Sequence, residues 1–235
     1  MAGKFTDVIQ ISESVYVFSN PEGDVNMDVP GTVVPINFWA VVNEKKEVFI
    51  IDTGFDNLAE SIVGYTESLG TPTAVFATHG HLDHVLGVKV YKKAWDIPAY
   101  IDSREIEALK EGLSPYPSKE EGMADLYEPL DEEMLKRAGL KAYFVPGHSL
   151  GNTVFYHEKE NVLLAGDMIS NSEDILLPPA QRYTLNMDEA IDSAKILDVL
   201  KPKYISTGHG RVPFMEYKEG MYRDMYWGFA ASKNK

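Results

Sequence analysis

Three of the six histidines stand within six residues, in the run Thr78-His79-Gly80-His81-Leu82-Asp83-His84. Imidazole and carboxylate at this density suit a metal ion. Neutral ring nitrogens and carboxylate oxygens are the ligands that zinc, manganese or iron take where no thiolate is at hand, and the chain has no cysteine. Three single residues repeat the chemistry further on: His148 in Pro146-Gly147-His148-Ser149, Asp167 in Ala165-Gly166-Asp167, and His209 in Thr207-Gly208-His209-Gly210. Each has a flanking glycine, which permits a tight turn or a close backbone approach. Any one Gly-His or Gly-Asp pair reads equally well as an ordinary turn; the set of four loops together reads as a site.

Such side chains must be delivered by elements that end where they begin. The strand Thr73-Ala74-Val75-Phe76-Ala77 stops just before Thr78 and His79, so the histidine run projects from a turn. Upstream, 6–12 and 15–19 read as a strand hairpin, 20–35 as a long surface loop rich in Pro and Gly, and 37–42 and 47–51 as two more strands. Leu58, Ile62, Tyr65 and Leu69 fall on one helical stripe, closed by Gly70 and Pro72. Helical spacing resumes over 85–95, then comes a strand at 98–101 and a helix at 103–111. The segment 112–130 is irregular and Pro-rich. The second half repeats the theme, with strands at 141–145, 153–156 and 162–165, a helix over 187–200 opened by Asn186 and Glu189 in the manner of a capping box, a strand at 203–206, and a helix over 216–230. Two similar halves, each sheet plus helices, predict two sheets packed together with helices outside.

Composition bounds the function. At 235 residues, with 44% hydrophobic and 25% charged, the chain has the balance of one globular domain, 1–235. Thirty-six acidic against 22 basic residues give a formal charge of −14, which repels nucleic-acid phosphates and anionic membranes. The expected partner is a small-molecule substrate, with no nucleic acid and no membrane; a homodimer is compatible with the sequence but marked by nothing in it. The lack of cysteine excludes disulfides, iron–sulfur clusters and a cysteine nucleophile. No signal-peptide pattern opens the sequence and no apolar run has spanning length, so a cytoplasmic location is expected.

The run HxHxDH, followed in order by Gly-His148, Gly-Asp167 and Gly-His209 and preceded by Ile51-Asp52-Thr53-Gly54, resembles the metallo-β-lactamase-fold superfamily over about 50–210. The resemblance implies an α/β fold, a four-layer αββα sandwich with metals at one edge. It also implies two zinc ions, with Fe or Mn as substitutes. His79, His81 and His148 would hold one, Asp83, His84 and His209 the other, with Asp167 between them and Asp52 behind a ligand. The implied chemistry is hydrolysis by a metal-bridging hydroxide, with Asp83 as the catalytic residue that orients the nucleophile or moves a proton.

Pro146-Gly147-His148-Ser149-Leu150-Gly151-Asn152-Thr153 is similar to the glyoxalase II-like branch of ester and thioester hydrolases, although few residues follow His209 to form that enzyme's extra helical domain. Lactonases of the superfamily carry Tyr three residues after the bridging Asp, where Ser170 stands. Flavodiiron proteins carry Glu at the position of His81. Persulfide dioxygenases, with a mononuclear iron, are the alternative class. Of the remaining chemistry-bearing residues, His157 reads as an ordinary strand histidine. Tyr217, Tyr222, Tyr226, Trp227 and Phe229 read as core, and Arg182 and Tyr183 as candidates for touching substrate. The roles of the loops 20–35, 112–130 and 170–183 are not readable.

Overall fold

Alternation along the first strands sorts their side chains onto two faces. Phe18, Phe38, Ala40, Val48 and Ile50 share one buried cluster, while Val15, Val17, Trp39, Val41, Phe49 and Ile51 share another. A sheet with both faces buried must lie inside a layered structure. The computed structural model, which describes residues 7–25, 33–210 and 212–233, supplies those layers.

In chain order the elements of the first half are β1 (Asp7–Gln10), β2 (Val15–Val25), β3 (Val33–Val42), β4 (Glu47–Ile51), α1 (Asp56–Leu69), β5 (Thr71–Phe76), α2 (Leu82–Val85), α3 (Val88–Trp95), β6 (Ala99–Ile101), α4 (Ser103–Glu111) and β7 (Glu128–Pro129). The second half holds α5 (Glu132–Ala138), β8 (Leu140–Phe144), β9 (Thr153–His157), β10 (Val162–Leu164), β11 (Ser170–Ser172), β12 (Ile175–Leu177), α6 (Met187–Ser193), α7 (Ile196–Leu200), β13 (Tyr204–Ser206), β14 (Met215–Glu216) and α8 (Met221–Ser232). The strands β1 to β7 lie in sequence order in one sheet; β14-β13-β10-β9-β8 form a second, and β11 and β12 a small hairpin. The first sheet turns from antiparallel to parallel at β4 and β5, where α1 makes the crossover that a parallel pair needs.

Three buried clusters define four layers. Leu58, Ala59 and Ile62 of α1 and Val88 and Tyr91 of α3 cover the outer face of the first sheet. Its inner face meets Leu140, Phe155, Val162 and Leu164 of the second. Ile191, Leu197, Tyr222 and Met225 of α6, α7 and α8 cover that sheet's far side, over Val154, Leu163 and Ile205. The architecture is the expected αββα sandwich. Between the sheets the indole Nε1 of Trp39 donates to Ser206 Oγ at 2.7 Å, so this buried N–H is paired.

The structure redraws several boundaries. Strand pairing runs to Val25 and resumes at Val33, with Asp24 opposite Val34, so the 20–35 segment is largely a strand extension; 26–32 lie outside the described residues. The expected 85–95 helix breaks at Gly87, whose N–H turns aside to Gly54 O at 3.0 Å. The 187–200 helix is two helices, because Lys195, Leu197 and Asp198 bond three residues back rather than four, a tightened turn that interrupts the α pattern. The C-terminal helix starts at Met221, since Met215 and Glu216 pair with β13 instead. The irregular 112–130 segment holds two 3₁₀ turns, Lys119–Glu121 and Met123–Leu126, and ends in β7. Tyr222 is buried in the core as expected, but Tyr226 and Trp227 are 44% and 60% exposed: a helix packed on one side must send its other face to water.

No helix among the described residues is long and apolar enough to cross a membrane.

Candidate metal centre

Every residue of the histidine run leaves the end of β5. Ala77 and Thr78 continue it, His79 and Gly80 turn, His81 stands at the N-terminus of α2, and Asp83 and His84 lie within that helix. The other three come from the second sheet: His148 from the β8–β9 connection, Asp167 from the loop after β10, and His209 from the loop after β13. Backbone bonds sew these loops together, Thr153 N to Thr78 O at 2.9 Å and Gly208 N to Gly166 O at 2.8 Å. Gly208 has no room for a side chain, since a Cβ there would lie 2.5 Å from Asp167 Oδ1 and 2.8 Å from His84 Cε1.

Ligand atoms of His79, His81 and His148 lie within 4.8 Å of one another, and so do those of Asp83, His84 and His209. Asp167 stands between the groups, with Oδ2 at 3.5 Å from His148 Nε2 and 3.3 Å from His209 Nε2, and Oδ1 at 3.5 Å from His84 Nε2. The structure thus brings together all seven residues singled out in the sequence. Asp52 lies directly behind them, at the end of β4 in a left-handed conformation (φ 60°).

The hydrogen bonds behind the cluster determine which ring nitrogen carries the hydrogen. Pro35 O, which can only accept, lies 2.8 Å from His209 Nδ1. Asp52 Oδ2 lies 2.8 Å from His84 Nδ1. Thr78 Oγ1 donates to Asp52, so it accepts from His79 Nδ1 at 3.0 Å. Thr184 Oγ1 donates to Ala180 O, so it accepts from His148 Nδ1 at 3.0 Å. In the neutral form all four rings therefore turn a bare Nε2 toward the cluster. His81 is the exception, presenting Nδ1, which lies 3.1 Å from His148 Nε2.

Charge divides the two groups. Burial holds His79 and His81 well below the usual imidazole range, helped by the neighbouring histidines, and takes His148 down to about 4. Burial would lower His84 too, but the carboxylates of Asp83, Asp167 and Asp52 overcome it and raise His84 to about 9. The same contest lifts His209 well above its usual value through Asp167 and Asp83. Burial pushes Asp83 and Asp167 up, and the facing His84 and His209 more than reverse that, holding both carboxyls well below the usual range.

These residues fit divalent ions. The Nε2 atoms of His79 and His84 and Oδ1 of Asp167 are buried without a hydrogen-bond partner, a costly arrangement for groups that nothing coordinates. The donor set is nitrogen and oxygen only, as zinc accepts.

Of the residues behind the cluster, Asp52 was expected from the sequence and the others were not. Thr78, Thr184 and the carbonyl of Pro35 hold ligands, and Glu105 accepts from Gly80 N at 2.8 Å and Ser149 Oγ at 2.7 Å. Burial pushes the Glu105 carboxyl up, opposed by its bonds from Ser149, Gly151, Gly80 and Tyr116. Only Thr78 carried a signal, its place beside His79. Arg182 is exposed with its guanidinium 5.9 Å from the Tyr183 ring; the next residue, Thr184, is the one that reaches the cluster. His157 lies opposite Leu140 and Val162 in the sheet and belongs to neither ligand group.

The fold and this edge cluster define a class. The family model of the metallo-beta-lactamase superfamily matches residues 31–209, and the chain belongs to that superfamily. Its relatives narrow the description. The chain is 34% identical over 219 residues to the probable metallo-hydrolase YybB of Bacillus subtilis (strain 168), a match covering 92% of this chain and 95% of that protein. A hydroxyacylglutathione hydrolase of Wigglesworthia glossinidia brevipalpis is 30% identical over 118 residues, 50% of this chain and 41% of that one. A solved metallo-beta-lactamase from Erythrobacter litoralis shares the fold, with a TM-score of 0.72 at 18% identity over 96% of both chains. At the level of the superfamily these relatives support a metal-dependent hydrolase.

Proposed function

We propose that the chain is a dinuclear zinc-dependent hydrolase that cleaves an ester, thioester, lactone or phosphoester bond of a small molecule. The observation that carries this reading is the set of fixed tautomers. Acceptors behind His79, His84, His148 and His209 take each Nδ1 hydrogen and leave Nε2 to coordinate. Such partners fix the orientation and raise the basicity of metal ligands.

His79, His81 and His148 would hold one ion and Asp83, His84 and His209 the other, with Asp167 reaching both. When bound, divalent ions held there would make a water acidic enough to ionise near neutral pH, as a single zinc does with a pKa of about 7, and would polarise the scissile carbonyl or phosphoryl. Asp83 Oδ2 lies 3.0 Å from His209 Nε2, and in this reading Asp83 orients the nucleophile or moves a proton. The second group favours two ions over the single iron of a persulfide dioxygenase: Asp83 and Asp167 face His84 and His209 as two anions against two proton-bearing rings, and a dication can take the place of those protons.

The test is a panel of thioesters, lactones, carboxyl esters, phosphodiesters and β-lactams, assayed on one preparation beside His81→Ala, with elemental analysis of both proteins. Two zinc per chain and a hydrolytic activity lost in His81→Ala is the expected result. One iron with oxygen consumption, or activity that survives the substitution, overturns it.

A further inference from the structure

We propose that Glu105 is the positioning residue of the trihistidine half of the centre: its one carboxylate ties together the two loops that carry His81 and His148, and so sets the spacing of those rings. The proposal rests on the reading that His79, His81 and His148 hold an ion. Glu105 sits in the first turn of α4, fully buried. Its Oε2 accepts from the N–H of Gly80, the residue between His79 and His81. Its Oε1 accepts from the hydroxyl of Ser149, the residue after His148, and from the N–H of Gly151. The Tyr116 hydroxyl bonds to the same carboxylate, and its ring stands edge-on to His81 at 5.1 Å.

The clamp acts on a close contact. His148 Nε2 is bare, because its Nδ1 hydrogen goes to Thr184, and it lies 3.1 Å from His81 Nδ1, which in the neutral Nδ1–H tautomer donates to it. An ion taken by both nitrogens would replace that hydrogen. The Glu105 bonds hold the two loops at this spacing in either state. A carboxylate suits the task because both oxygens only accept; an amide would turn its NH₂ toward either Gly80 or the Ser149 and Gly151 donors. The packing is close enough that a Cβ on Gly80 would lie 2.8 Å from the Tyr116 ring and 2.9 Å from Glu105 Oε2, so a side chain there would crowd both.

Zinc titration of metal-stripped protein by calorimetry tests this, with Glu105→Gln placed in two backgrounds. In His209→Ala, which leaves the trihistidine half, the substitution is expected to weaken zinc binding roughly 10–100-fold. In His148→Ala, which leaves the other half, the change is expected to stay under about twofold. Equal weakening of both halves marks a merely structural residue and overturns the proposal, as does no weakening of either. Absence of zinc binding by the wild type overturns the two-ion reading first, and is told apart because there is then nothing for Glu105→Gln to weaken. Where Glu105→Gln does not fold, Ser149→Ala removes a single donor; a several-fold loss confined to the trihistidine half supports the clamp and an unchanged affinity overturns it.

Discussion

The Nδ1 of His84 lies 2.8 Å from Oδ2 of Asp52, with both side chains 1% exposed. The same carboxylate accepts from Thr78 N at 2.7 Å and from Thr78 Oγ1, and Thr78 in turn holds His79. One side chain thus orients a ligand of each group. Asp52→Asn keeps a residue that tolerates the left-handed backbone at this position while exchanging an acceptor oxygen for a donor. It is expected to fold and to bind zinc roughly 10–100-fold more weakly in both halves. Calorimetry beside circular dichroism checks this; wild-type affinity in a folded Asp52→Asn protein would refute it.

Metal binding should depend on pH in a definite direction. His84, raised to about 9, and His209, raised well above its usual value, carry protons at neutral pH in the metal-free protein. An ion must displace those protons. Affinity is therefore expected to rise with pH from neutrality through about 9, where His84 loses its proton, with net proton release on binding. The release is measured by titrating zinc in buffers of different ionisation enthalpy. No buffer dependence at neutral pH would count against the charge pairing described here.

Thr184 makes a second, independent test of tautomer control. Thr184→Val keeps the side-chain shape and removes the oxygen that accepts from His148 Nδ1. The expected outcome is weaker zinc binding, roughly 10-fold or more, in a protein whose metal-free unfolding midpoint moves little. A large loss of stability without a loss of affinity would assign Thr184 to packing alone.

Phe76 joins the two sheets where β5 hands the chain to the site. Fully buried, it packs on Tyr100 and Phe155 with ring centroids 5.7 Å away in each case, and on Phe49 at 6.3 Å. Phe76→Ala is expected to cost about 3–5 kcal/mol of stability, read from denaturant unfolding of metal-free protein. Combined with Phe155→Ala, the two losses should fall short of additive by about 0.5–1.5 kcal/mol. Strict additivity would mean that the sheets do not meet through this pair.

The candidate ligands were legible because four of them crowd one turn of sequence, and because Gly-His and Gly-Asp pairs mark the loops that supply the rest. The layers were legible from period-two and helical patterns, which burial imposes locally. What holds those ligands, Asp52 apart, was not. Thr184 is 36 residues from His148 and Pro35 is 174 from His209, and nothing in a threonine or proline announces such a partner. Helix breaks at Gly87 and Lys195 escaped for a related reason: the apolar spacing continues across them while the hydrogen bonds do not. Trp227, an aromatic at the surface of α8, shows that residue type alone does not decide burial.

The division of ligands between the sheets has a consequence for how the protein is made. His79, His81, Asp83 and His84 emerge from a ribosome early, His148 and Asp167 later, and His209 only after β13 has been synthesised. A nascent chain that has not reached His209 therefore lacks one member of the Asp83, His84 and His209 group, and that half of the cluster closes only when β13 has joined its sheet. An ion held by either group would act as a rivet, because each group draws its residues from both sheets.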